Sequence, residues 1–309
     1  MLAVLPTVLP VFLLVAAGWA AARSGRLPPP AVEGLLTFSV RFAVPVLLFG
    51  AMVRLDLGRA FDPKLLGAFY GGVALCFALG AVLARRVWRR RPGEAVAVGF
   101  AAMFSNTVLL GLPIAERAWG EAVAPAAFAI IALHAPVGYA LGIVAMEVSR
   151  RDGAGPLETA RRTLSEMFSN ALALGIGAGL AVNLAGIALP AVAMEAVGLM
   201  SDAAIPAALF ALGGAMTRHR LRAGVAEAAT VSAISLLVHP AAVLGLAALL
   251  GLEREQTLAA VTIAAAPVGM NAYLFAAFYR RAETVAAGAM LLATALSAFT
   301  VSLWLWLLA

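Results

Sequence analysis

Apolar residues run along this chain in long stretches separated by short clusters of charge, proline or glycine. The stretches predict ten helices, at about 2–22, 31–53, 64–84, 95–118, 121–147, 164–184, 191–216, 224–250, 257–279 and 283–308. Each is close to the roughly 20 residues that cross a bilayer as a helix. Two of them are interrupted near the middle. Phe104-Ser105-Asn106-Thr107-Val108-Leu109-Leu110-Gly111-Leu112-Pro113 lies inside the fourth stretch, and Ala265-Ala266-Pro267-Val268-Gly269-Met270-Asn271-Ala272-Tyr273 inside the ninth. At that depth every backbone N–H and C=O should be satisfied by continuous helix. A break is tolerated only where the freed groups face protein or a water-filled cavity. Paired breaks in corresponding spans of two halves point to the binding site of a secondary transporter.

The halves resemble each other elsewhere. Ala43-Val44-Pro45-Val46-Leu47-Leu48-Phe49 reads like Ala204-Ile205-Pro206-Ala207-Ala208-Leu209-Phe210 at an offset of 161 residues. The same register, within one residue, sets Ser105 against Pro267. Five spans per half is an odd number, so the two repeats enter the membrane with opposite orientation. The predicted fold is an all-α membrane protein of ten transmembrane helices, arranged as inverted five-helix repeats over 1–147 and 164–309. A polar linker, 148–163, joins them.

Composition narrows the class. In 309 residues, 63% are hydrophobic and 12% charged, and the mean hydropathy is +0.97, which excludes an ordinary soluble globule. Cys76 is the single cysteine, so neither a disulfide framework nor a cysteine metal site is available. The net charge of +6 marks topology and not nucleic-acid binding, because the basic residues are confined to short loops. With the N-terminus outside, sixteen basic residues fall in inside loops: Arg23, Arg26, Arg85, Arg86, Arg89, Arg90, Arg91, Arg150, Arg151, Arg161, Arg162, Arg218, Arg220, Arg222, Arg280 and Arg281. Five fall outside: Arg54, Arg59, Lys64, Arg117 and Arg254. The positive-inside rule then places both termini outside the bacterial inner membrane. Met1 is followed at once by apolar sequence, so no cleavable signal peptide is expected and 2–22 is read as a true first span.

The breaks suggest chemistry. Unwinding near Ser105 and Pro267 would start half-helices at about Asn106 and Val268, and the positive end of a helix attracts anions. Ser and Asn cap such starts, Pro267 cannot donate to a helical ladder, and Gly269 permits close approach of a ligand or the crossing backbone. The Asn106 and Asn271 amides offer donors and acceptors without a buried net charge. The candidate substrate contacts are therefore Ser105, Asn106, Thr107, Pro267, Gly269 and Asn271. The alternative is that the two Asn amides satisfy each other or the broken backbone. Pro45, Pro113 and Pro206 read as kinks.

Arg41 and Asp202 sit mid-span, each four residues before one of the matched prolines. A charge there costs on the order of 2.5–3.5 kcal/mol, so each should face the interior. Either Arg41 counters a substrate carboxylate while Asp202 tunes it or carries a proton, or the two pair for structure. His134 and His239 are the other titratable residues deep in spans. Each is either a packed histidine or a proton relay, and His239 is placed to bond a carbonyl freed by Pro240. Glu116, Glu147, Glu166, Glu195 and Glu227 read as interfacial, and Trp19, Trp88, Trp119, Trp304 and Trp306 as an aromatic belt. Gly175-x-Gly177-x-Gly179 reads as close helix packing.

The stretch Asn106-Thr107-x-x-x-Gly111-x-Pro113 resembles the fourth-helix signature of the auxin efflux carrier family. So do Leu9-Pro10-Val11-Phe12-Leu13-Leu14 with Gly18-Trp19, Asp202-Ala203-Ala204-Ile205-Pro206, and Ala266-Pro267 through Asn271-Ala272-Tyr273. The resemblance covers essentially the whole chain. It implies the fold of bile-acid symporters and sodium/proton antiporters, with helices four and nine crossing. It also implies a scaffold part (1–53 and 164–217), a transport part (64–147 and 222–309), elevator-type alternating access and a homodimer through the scaffold. Plant auxin exporters carry Pro where this chain has Ser105. The short linker resembles the bacterial branch, which includes candidate malonate carriers.

The leading reading is a secondary carrier of small organic anions, mono- or dicarboxylates, with no cofactor or metal. Sodium-coupled symport is an alternative. No Asp or Glu lies near the breaks, so only backbone carbonyls, Ser105, Thr107 and Thr262 could hold the ion. An intramembrane enzyme lacks motifs, having no Gly-x-Ser-x-Gly and no His-Glu-x-x-His. A membrane sensor or structural protein would not need two matched breaks.

Overall fold

The computed structural model describes residues 4–149, 171–218 and 224–309. The linker, Arg150, Arg151, Arg161, Arg162, Glu166, Arg220 and Arg222 lie outside them. Among the described residues the regular elements are helical: α1 (Leu5–Arg23), α2 (Pro29–Phe38), α3 (Val44–Arg54), α4 (Leu57–Ala60), α5 (Pro63–Arg86), α6 (Pro92–Met103), α7 (Leu112–Trp119), α8 (Ala124–Ser149), α9 (Ala171–Leu184), α10 (Ala191–Met216), α11 (Val225–Ala233), α12 (His239–Leu250), α13 (Arg254–Ala264), α14 (Met270–Tyr279) and α15 (Glu283–Leu308). Among the described residues, seven helical stretches are long and apolar enough to cross a membrane: Leu5–Arg23, Pro29–Arg54, Pro63–Arg86, Glu121–Ser149, Ala191–Met216, Val225–Leu250 and Glu283–Leu308. The fourth and ninth predicted spans are each two shorter helices around a break. The described part of the sixth is α9.

Proline punctuates these helices in two ways. Pro29, Pro63 and Pro92 open α2, α5 and α6 at the first helical position, where the missing N–H costs nothing. Pro45, Pro113 and Pro240 instead each follow a five-residue π-helical turn: Ser39–Ala43, Thr107–Gly111 and Ile234–Val238. A wide turn makes room for a ring that would clash with the carbonyl four residues back. For Pro240 that carbonyl belongs to Leu236, and the Trp304 indole donates to it at 2.9 Å. Trp304 is thus buried inside the bundle and not in a belt. Pro206 differs, because α10 runs through it unbroken.

The chain divides into two compact units. One comprises Pro10–Ala60 with Arg162–Arg218, the other Met1–Leu9, Phe61–Arg161 and His219–Ala309. The first is packed through glycine. A side chain at Gly175 would run into the Pro45 carbonyl and one at Gly179 into that of Phe49, whereas Gly177 faces open space. Gly18 and Gly213 likewise let α1 and α10 touch, against the carbonyls of Phe210 and Val15. Asn183 Nδ2 donates to the carbonyls of Met52, Val53 and Leu55 at 2.8–3.0 Å, satisfying the open end of α3.

The second unit holds both broken spans, and a polar tie anchors the start of each. Beside α6, Arg90 donates to both carboxylate oxygens of Glu227 on α11, at 3.1 and 2.9 Å, and pairs with Glu94 at 3.3 Å. Hydrogen bonding to Glu227 raises the Arg90 pKa. Glu227, in the first turn of α11 at the span end expected of it, is 7% exposed and buried against Arg90. Beside α13, Gln256 donates to Asp62, the cap of α5, at 2.9 Å. That bond, with one from the Lys64 amide, lowers the Asp62 pKa.

Candidate functional site

The two breaks meet. Helix α6 ends at Met103, where Phe104 turns extended (φ −91°, ψ 94°). Helix α13 ends at Ala264, and 265–269 carries the chain to α14. Between them Ser105 and Val268 form an antiparallel bridge. The Asn106 amide donates to the Pro267 carbonyl at 2.7 Å and the Gly269 amide to the Phe104 carbonyl at 2.8 Å. The interrupted backbones therefore satisfy each other, which is how non-helical chain survives in an apolar interior.

Each break closes by local chemistry. Asn106 (φ −79°, ψ 68°) makes an inverse γ-turn in which the Thr107 amide donates to the Ser105 carbonyl at 2.9 Å. Its Oδ1 then accepts from the Leu109 amide at 3.3 Å and caps the turn that follows. On the other strand Pro267 has no N–H to leave unpaired. Gly269 caps α14 without a side-chain bond. A Cβ on Gly269 would sit 3.2 Å from the Ser105 carbonyl oxygen and 3.4 Å from the Asn106 nitrogen. Hydrogen would be replaced by a methyl group where two backbones already touch.

Ser105, Asn106, Thr107, Pro267 and Gly269 thus come together, and Asn271 follows in the first turn of α14. Ser105, Thr107, Pro267 and Gly269 are buried, while Asn106, Val108, Met270 and Asn271 are partly exposed. Among the described residues, no protein acceptor meets the N–H groups of Val108, Met270 and Asn271, the Asn106 Nδ2 or the Asn271 side chain. Two helix starts, each with free donors and an Asn amide, therefore flank the bridge between the breaks. Helix starts and amides of this kind can offer an anion hydrogen bonds without a cationic side chain.

Two expectations need correction. Arg41 and Asp202 belong to the other unit, where both are exposed, so neither faces its interior. They make no ion pair with each other among the described residues. His239 does not bond a carbonyl freed by Pro240. Its Nδ1 lies 3.2 Å from the Ser105 hydroxyl, and Trp304 takes the carbonyl. Thr262, a candidate ion ligand, accepts from the half-buried Trp119 indole at 3.0 Å.

Sequence reasoning missed the aromatic packing around the bridge. Phe100 stacks on Phe275 with centroids 3.9 Å apart and planes 4° apart, and on Phe104 at 5.1 Å. Phe104 packs on His134 at 4.4 Å, and Phe69 lies against both histidines at 5.7 and 5.3 Å. The signal available was the four-residue spacing of Phe100 and Phe104 on one helix face. Their partners come from distant helices.

Comparison with known proteins places the chain among membrane transporters. A family model described as "Membrane transport protein" matches residues 3–305. A Rhizobium meliloti (strain 1021) protein named "Putative malonate transporter" is 31% identical over 97% of this chain and 94% of its own length. A Methanothermobacter thermautotrophicus protein named "Uncharacterized transporter" is 25% identical over 96% of each chain. These relatives are transporters and not enzymes. The chain is a multi-pass membrane protein belonging to this membrane transport family, that of the auxin efflux carriers.

Proposed function

We propose that this transporter is a secondary carrier of small organic anions of the malonate class, with the anion held where the two breaks meet. The observation that carries the reading is the set of unpaired backbone donors at Val108, Met270 and Asn271, flanked by the Asn106 and Asn271 amides. Malonate is the substrate in the name of the Rhizobium meliloti relative. It is a compact dicarboxylate that two facing helix starts suit. Ser105, Thr107, Pro267 and Gly269 shape the site by pairing the breaks.

The same reading has ten transmembrane helices in two inverted repeats, in the bacterial inner membrane with both termini outside. Transport is by elevator-type alternating access. The unit carrying the breaks moves, and the unit built from Pro10–Ala60 and Arg162–Arg218 is the frame. The clustering of the chain into these two units supports that division. A homodimer through the frame is supported by Arg41 and Asp202. Both are exposed at the middle of 26-residue apolar stretches, where contact with lipid tails would be costly.

A thermal-shift panel of small mono- and dicarboxylates on purified protein, in sodium and in choline, tests the reading. A ligand of the folded state raises the midpoint according to its saturation. Stabilisation by malonate or a close analogue, reduced in Asn106→Ser, is expected. Ser keeps a capping oxygen while removing the amide donor. Equal shifts in wild type and variant would move the anion elsewhere. A shift that needs sodium would favour sodium-coupled symport.

A further inference from the structure

Two imidazoles lie directly behind the paired breaks, and the site described above does not use them. His134 on α8 and His239 at the start of α12 are 3% and 0% exposed. Among the described residues, neither ring nitrogen of His134, nor Nε2 of His239, has a hydrogen-bond partner, and the nearby Ser235 hydroxyl has none either. The His134 ring approaches the Ser105 backbone and His239 that of Ala264, without hydrogen-bonding geometry. Among the described residues, the bond these rings make joins His239 Nδ1 to the Ser105 hydroxyl at 3.2 Å. Buried polar groups are nearly always paired, so orphaned nitrogens this close together require an explanation.

The surroundings restrict it. From α5 the rings meet Phe69, with Tyr70 and Cys76 as the titratable groups on that helix. The Tyr70 hydroxyl donates to the Ile130 carbonyl at 2.7 Å. Tyr139 is the nearest titratable group along α8, and it packs on Phe104. The charged residues on the helices packed against α8 and α12 stand near helix ends: Lys64, Arg85 and Arg86 on α5, Glu94 on α6, Glu116 and Arg117 on α7, Glu121 beside α8, Glu147 on α8 and Arg254 and Glu255 on α13. No carboxylate makes an ion pair with either histidine among the described residues. A proton on this pair would therefore need its counter-charge from elsewhere.

We propose that His239 and His134 together hold one proton that is taken up with the transported anion, making the carrier a proton–anion symporter. The inference rests on the anion site proposed above. With His239 neutral, the Ser105 hydroxyl donates to Nδ1. With His239 protonated, Nδ1–H donates to Ser105, and the hydroxyl hydrogen is released toward the break, where Asn106 begins the next turn. A bound carboxylate gains a donor and an adjacent positive charge, and the imidazolium gains the counter-charge that the dry interior withholds. The Phe69 and Phe104 rings add cation–π contacts. Two imidazoles so near share one proton because a second would meet a like charge. Binding of anion and proton is then mutually favourable and reciprocal. The proton comes from water on the loading side and returns to water with the anion.

Proteoliposomes carrying the full chain test this with radiolabelled malonate. Exchange at equal pH on both sides reports the carrier itself, and uptake under an acid-outside gradient reports coupling. Accumulation above equilibrium that a protonophore abolishes is expected. So is an apparent affinity that tightens about tenfold per unit of pH lowered, as one proton per anion requires. His239→Gln and His134→Gln should lose both gradient-driven accumulation and the pH dependence of affinity, with only weakened exchange remaining at high malonate. Exchange without any response to the gradient in wild type overturns the coupling and leaves the anion carrier standing. So does gradient-driven accumulation that survives in both variants. Absence of malonate exchange in wild type overturns both. The wild-type arms decide the matter even if a variant fails to fold.

Discussion

The two breaks occupy matching places in the halves of the chain and do the same structural job by different means. At the first, a side chain closes the gap: Asn106 caps the following turn and a γ-turn reverses the backbone. At the second, the gap is closed by what is missing, since Pro267 has no N–H to orphan and Gly269 has no Cβ to keep the Ser105 carbonyl away. Side-chain capping leaves an amide nitrogen free for a ligand. Subtraction leaves bare N–H groups at Met270 and Asn271. A helix start that binds an anion can be prepared by either route.

The largest effect should come from filling the space at Gly269. Gly269→Val forces apart backbones that a bare Cβ would already crowd, so a cost of about 1–3 kcal/mol and loss of transport are expected in chemical unfolding and uptake assays. A fully active, equally stable variant would mean that subtraction is not how the second break is held. Next is Asn106→Ala. It removes the cap on the Leu109 amide and should cost about 1 kcal/mol, most of it recovered in Asn106→Ser. Asn271→Ala sharpens the contrast, because no side-chain bond is lost there. Stability should change by less than about 0.5 kcal/mol while stabilisation by anions shrinks. A stability loss equal to that of Asn106→Ala would show that both breaks rely on side-chain caps.

A further test concerns the tie at the start of the second broken span. Asp62 is held below its ordinary pKa by Gln256 and the Lys64 amide. Its contribution is therefore present above the unfolded carboxylate pKa and fades as pH falls through the lower, folded value. Because Asp62 is only partly buried, Gln256→Ala should cost no more than about 1 kcal/mol at neutral pH. The difference from wild type should close in acid, as read from thermal midpoints across pH. A gap that persisted in acid would mean the tie does not depend on the charge of Asp62.

Both breaks could be read from the chain because helix interruption is a local property: Ser105-Asn106 and Pro267-Val268-Gly269 interrupt apolar runs with residues that cap, cannot donate or lack a Cβ. The glycines of α9 were legible for the same reason, although only Gly175 and Gly179 are used. Arg41 and Asp202 were misread. A mid-span charge fixes depth, while the side of the helix it occupies depends on which neighbours pack there. Glu227 was placed at a span end, but its partner was not legible, since Arg90 is 137 residues away.

Hydropathy, proline and glycine by themselves determined that the chain crosses a membrane many times and that two spans are broken, because burial in lipid and the loss of an N–H act on each residue where it stands. Only the tertiary structure decided that the breaks pair with each other, that Trp304 satisfies the carbonyl freed by Pro240, and that His239 turns to Ser105. Those choices join residues tens to more than a hundred positions apart, and they follow from the requirement that each buried polar group find its partner wherever the packed helices bring one.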